Sequence, residues 1–112
     1  MLCAKERIDA AVQGWPGITS KPHRFGGTQY TLGRREIGHV HDDNLVDIPF
    51  PKSVRDRLVA DGRAEPHHVL PQSGWVSIYL RREPDVDRAI ELLRLSFESA
   101  AQQGMKMDTG LG

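Results

Sequence analysis

Apolar positions along this chain change period from about 3.6 to 2 and back, and the changes mark its elements. Over residues 4–13, Ile8, Ala11 and Val12 fall on one stripe. That predicts a short amphipathic helix, ended by Gly14 and Trp15-Pro16-Gly17. Ile18 to His23 reads as an edge strand, because Pro22 has no N–H to give a neighbour. Alternation predicts strands over 28–32, 35–41 and 45–50, joined by turns at Gly33-Arg34 and Asp42-Asp43-Asn44. Ser53 stands as the N-cap of a helix to Asp61, with Asp56 placed as in a capping box and Gly62 as the stop. Residues 63–74, holding Pro66, Pro71 and Ser73-Gly74, read as an irregular loop before a last strand, Trp75 to Arg81. The strongest helix, about Asp85 to Gln103, repeats Val86, Ala89, Ile90, Leu93, Phe97 and Ala100 at spacings of three and four. Residues 104–112 carry no apolar pattern and are expected to be a disordered tail. The order α-β-β-β-β-α-β-α predicts one α+β domain over residues 1–103. Its mainly antiparallel sheet would have four to five strands, with helices on one face.

Strand parity sorts the two faces of that sheet. Val46, Ile48 and Phe50 on one strand, and Val76, Ile78 and Leu80 on another, make the core face beneath the long helix. A three-residue loop at 42–44, with Asn44 in the left-handed conformation it tolerates, sets His41 against Leu45 and His39 against Asp47. A two-residue loop would set His39 against Ile48 and mix the faces, which a half-buried sheet resists. The face away from the helix is therefore expected to carry Arg35, His39, His41, Asp47, Trp75, Ser77 and Tyr79. Glu36 falls on the opposite face, where its expected role is structural, with Arg24 or a backbone N–H as partner.

Imidazole beside carboxylate suggests acid–base chemistry, since the carboxylate holds the ring's tautomer and raises its basicity. His39, His41 and Asp47 are the candidate catalytic groups. Arg35, His67, His68, Trp75, Ser77 and Tyr79 are candidates for holding a ligand, with His67-His68 as a contact from the loop. The same His-x-His spacing permits a metal ion; no metal is expected, and if one binds, the ligands are His39, His41 and His68, or His67 in its place, with Asp47 able to complete the set. Cross-strand pairing on a half-exposed sheet is the plainer account of His39 and Asp47, at about 0.2–1 kcal/mol.

Fifteen basic and fifteen acidic residues cancel among 112, which removes the bulk electrostatic case for nucleic acid or anionic membrane. The single cysteine, Cys3, cannot close an intrachain disulfide, which suits a reducing compartment. Lys5, Glu6, Arg7 and Asp9 interrupt any apolar run near the start, so a cytoplasmic protein is expected. No phosphate-cradling glycine motif or G-x-S-x-G stands in the chain.

The runs P-H-R-F-G-G at Pro22 to Gly27, R-E-I-G-H-V-H-D at Arg35 to Asp42 and P-H-H-V-L-P-Q-S-G-W at Pro66 to Trp75, with the last helix, resemble the luciferase-domain family. That family takes its name from the fungal luciferase, which oxidises a hydroxylated pyrone with molecular oxygen and without metal or flavin. Carried over by position, the resemblance marks Arg35, Glu36, His39, His41, one of His67 and His68, and Trp75. The element order is also similar to the MmcQ/YjbR-like fold. Together these imply a small enolisable or aromatic ligand and an oxygenase-like activity that needs no cofactor. His39, helped by Asp47, would take the proton, Arg35 and His41 would hold the anion, and Trp75 and Tyr79 would stack on it. The alternative is a non-catalytic module binding protein or nucleic acid. A concave pocket over His39 favours the first, and a flat face rimmed by Arg34, Arg81 and Arg82 favours the second.

Overall fold

A computed structural model describes residues 3–22 and 26–110, with side chains as far as Gln103, so His23 and Arg24 lie outside the described residues. The elements are α1 (Ala4–Gln13), β1 (Ile18–Pro22), β2 (Thr28–Leu32), β3 (Arg35–His41), β4 (Leu45–Pro49), α2 (Lys52–Ala60), β5 (Glu65–Pro66), β6 (Trp75–Tyr79) and α3 (Glu83–Gly110). The strands form a six-stranded sheet in the order β1-β2-β3-β4-β6-β5, and each neighbouring pair is antiparallel. The α+β class and element order are as expected, but the sheet has six strands rather than four to five. The extra strand is β5, two residues of the expected loop that pair with Ser77 and Val76. So short a segment shows no alternation, and its pairing is supplied by the free edge of β6.

Ile8 and Val12 of α1, Ile37, Val40, Val46, Ile48, Val76 and Ile78 of the sheet, and Val86, Ala89, Leu93, Phe97 and Ala100 of α3 form one buried core. The long helix meets this face closely at Gly38, where a Cβ would lie 2.7 Å from Leu93 Cδ2 and 2.9 Å from the Asp47 carbonyl oxygen. Glycine is therefore required there for close approach, not for a special backbone angle. Ser96, buried within the apolar stripe, donates to the Ile37 carbonyl at 2.9 Å and ties helix to strand.

Three local expectations change. Helix α2 starts after Pro51, with no side-chain cap, so Ser53 is not its N-cap. Proline presets the entry angle and lets the helix begin one residue before Ser53. In the β3–β4 turn the left-handed residue is Asp42, at φ 51°, rather than Asn44. Aspartate tolerates this region nearly as well as asparagine. Helix α3 runs to Gly110, past the end expected near Gln103, because helical hydrogen bonding outlasts the apolar stripe that packs it.

Candidate functional site

The β3–β4 hairpin places His39 opposite Asp47 and His41 opposite Leu45, the register of the three-residue loop. β4 then pairs with β6, setting Asp47 against Ser77 and Pro49 against Trp75. His39, Asp47 and Ser77 are buried on the sheet face away from α3, beneath the segment that carries His67 and His68.

Asp47 is the centre of the arrangement, with only 1% of its surface exposed. Its Oδ1 accepts from Ser77 Oγ at 2.7 Å. Around Oδ2 stand four ring nitrogens, all Nε2: His41 at 2.9 Å, His68 at 3.1 Å, His39 at 3.2 Å and His67 at 3.4 Å. Burial alone would raise the Asp47 carboxyl; the hydrogen bonds from His39, Ser77 and His68 overcome it and hold the group well below the usual carboxylate range.

His39 lies between two carboxylates, with Nε2 on Asp47 and Nδ1 only 2.6 Å from Glu36 Oε2. Burial pushes its pKa down, and the bonds to Asp47 and Glu36 outweigh that, raising it to about 9. Two carboxylate partners make both ring nitrogens donors, so His39 is an imidazolium near neutral pH when the site holds only protein atoms. In that state it supplies positive charge; accepting a proton, the role expected of it, needs the neutral ring. His67 has the opposite character. Its Nδ1 accepts the backbone N–H groups of Val69 at 3.1 Å and Leu70 at 3.0 Å. The ring hydrogen of neutral His67 is thereby assigned to Nε2, facing Asp47, and burial lowers its pKa.

Glu36 is the neighbour of His39 that parity misplaced. A β-bulge interrupts the β2–β3 ladder, so Tyr30 pairs with Gly38 and Thr31 with Glu36, leaving Ile37 as the extra residue. The bulge reverses the alternation and brings Glu36 onto the His39 face. Gly38 within a strand pattern was the available signal, since an isolated strand glycine commonly marks a bulge. The same reversal removes Arg35, which is not among the residues around the histidines. Tyr79 is also outside that group; its ring lies under the Arg81 guanidinium, 4.9 Å from carbon to centroid. Ser77 acts from below, through Asp47.

A cavity of about 410 Å³ opens over the cluster, lined by Glu36, His39, His41, Asp47, His67, His68, Val69, Leu70 and Trp75. Trp75 packs its ring against His39 at 5.3 Å and His67 at 6.0 Å between centroids. Val69 and Leu70, which the sequence pattern did not single out, are 67% and 52% exposed and form an apolar rim. A second opening of about 440 Å³ lies beside α1 and β1, where Gln13 Nε2 bonds Asp9 and Ser20 and no comparable convergence of donors occurs among the described residues. Among the described residues, two groups of side chains have the spacing to hold a metal: His39, His41 and Asp47, and Asp47, His67 and His68, each with ligand atoms within 4.8 Å of one another. No helix among the described residues is long and apolar enough to cross a membrane.

No curated protein and no solved structure matches the chain. Residues 34–96, from the turn before β3 to within α3, match the profile of the Luciferase domain, a span that takes in the four histidines, Glu36, Asp47 and Trp75. With more than half of its length matched, the chain belongs to the luciferase-domain family.

Proposed function

We propose that the protein binds a small, planar, acidic molecule, an enol or phenol, in the histidine-lined cavity and readies its ionised form for reaction with oxygen. The cavity itself carries this reading: about 410 Å³ is within the range that takes a small organic ligand. Its wall combines an indole face, an apolar rim and a cluster of imidazoles. Stacking on Trp75 would hold the ring, and the positive charge on His39 beneath it would favour the developing oxyanion. His68 is the group best placed to take the proton. Its Nε2 bonds Asp47 at 3.1 Å, which orients the ring and leaves Nδ1 as acceptor, the logic by which a carboxylate sets a catalytic imidazole. The concave shape also speaks against the flat interaction module. Arg81 stands 3.9 Å from Glu65, and neither Arg34 nor Arg82 lines the cavity.

Thermal shift with a series of hydroxypyrones and hydroxycoumarins tests the reading. Wild type is expected to gain several degrees at saturating ligand, following the usual mass-action dependence. Trp75→Ala should weaken binding about tenfold, the order expected when one stacking contact is lost. His68→Gln should bind yet fail to ionise the ligand, read from its absorption spectrum. A flat response across the series in wild type removes the proposal.

A further inference from the structure

We infer that His39, His41 and Asp47 form a binding site for one divalent transition-metal ion, with its remaining coordination positions open to the cavity they line. The inference stands apart from the small-molecule reading, and its test uses no organic ligand.

The first argument is the capacity of one oxygen. A carboxylate oxygen offers two lone-pair directions. Asp47 Oδ2 has four imidazole nitrogens within 3.4 Å, while Oδ1 is already engaged by Ser77. Three of the four are hydrogen bonds to Oδ2, one more than its two lone-pair directions, and a cation held between the rings and the carboxylate would relieve that crowding.

Spacing gives the second argument. Ligand atoms bound to one small cation at about 2.0–2.2 Å stand roughly 3.0–3.5 Å from their neighbours in tetrahedral or octahedral arrangements. His39 Nε2 and His41 Nε2 stand 3.2 Å and 2.9 Å from Asp47 Oδ2. The donors sit on paired strands, His39 directly across from Asp47, so the set is assembled before any ion arrives.

The neighbours decide which histidines ligate. Glu36, at 2.6 Å from His39 Nδ1, is the carboxylate that metal-bound imidazoles commonly keep behind them; it accepts from Nδ1, so an ion binding at Nε2 displaces to solvent only the hydrogen that faces Asp47. His67 is excluded, because its Nδ1 accepts two backbone N–H groups and its Nε2 holds the hydrogen. That rejects the second triad in favour of the first. Two imidazoles and one carboxylate suit zinc, iron(II), cobalt(II) or manganese(II) better than calcium or magnesium, which prefer all-oxygen sets. The family resemblance implied chemistry without a metal; the donor set argues for one.

The test strips the protein with EDTA and titrates it with Co²⁺ and Zn²⁺. Expected are about one equivalent of Co²⁺ bound with visible absorption bands, and a rise in Tm with Zn²⁺. Glu36→Gln should weaken binding about 10–100-fold, the usual effect of removing such a partner. His41→Gln should weaken it further, while His67→Gln stays within about threefold of wild type. His41 is partly exposed at the end of its strand, so its variant tests binding without risking the core, and circular dichroism confirms the fold. Failure of the stripped protein to take up either ion at stoichiometry overturns the inference. So does His41→Gln binding as wild type does, or His67→Gln losing as much as His41→Gln.

Discussion

Ser77 Oγ donates to Asp47 Oδ1 at 2.7 Å from a fully buried position, so its removal probes the carboxylate without touching the cavity wall. Ser77→Ala should destabilise the protein by about 1–2 kcal/mol, the penalty for a buried acceptor left short of a donor. Urea denaturation at neutral pH measures this, and a change below a few tenths of a kcal/mol would mean that Asp47 is satisfied without it. Most of the cluster could be read one residue at a time, because His39, His41, Asp47 and Ser77 share a face by parity and register. Glu36 and Arg35 could not. One inserted residue in β3 exchanges their faces, and parity counting has no memory of such a shift unless Gly38 is taken as its mark.

Strand β3 and helix α3 meet over that same glycine. Gly38→Ala would push a methyl group against Leu93 and the Asp47 carbonyl, at 2.7 and 2.9 Å. A loss of about 1–3 kcal/mol is expected, typical of overpacking, and a Tm equal to wild type would show that the helix can shift to make room. The start of α3 supplies a pH-dependent test. Asp85 accepts the backbone N–H of Arg82 at 2.8 Å and of Arg81 at 2.9 Å, and pairs with Arg88 at 2.8 Å. Burial would raise its pKa, but these partners hold it below the ordinary carboxylate range. A depressed pKa stabilises the folded state at pH above the unfolded value, about 3.9, and that contribution fades as pH falls through the folded pKa. Asp85→Asn should therefore cost up to about 1 kcal/mol at pH 6 and progressively less below pH 4, by urea denaturation at each pH. An undiminished difference at pH 3 would mean the charge is not what holds this helix end. The apolar stripe of α3 was legible because it repeats over many turns, whereas the cap of α2 turned on Pro51 rather than Ser53 and was not.

Balanced charge governs the behaviour of the molecule as a whole. With fifteen residues of each sign, no long-range field draws a polyanion to it. The protein is expected to leave a heparin column below about 0.15 M salt, since binding by phosphate neutralisation needs several unpaired cations on one face. Retention well above that would revive the interaction-module reading. The alternation of strands, the stripe of the last helix and the hairpin register follow from local sequence, because each rests on periodicity and turn chemistry within a few residues. The α+β class and the pairing of His39 with Asp47 were settled at that level. Convergence of His67 and His68 on the same carboxylate oxygen was not, because they sit on a segment whose path depends on β5 joining the edge of β6. The exchange of Glu36 for Arg35 likewise awaited the packed sheet, where β3 bulges and Ile37 is buried in the core. Contacts between residues distant in sequence depend on how the whole core closes, and no local pattern encodes that closure.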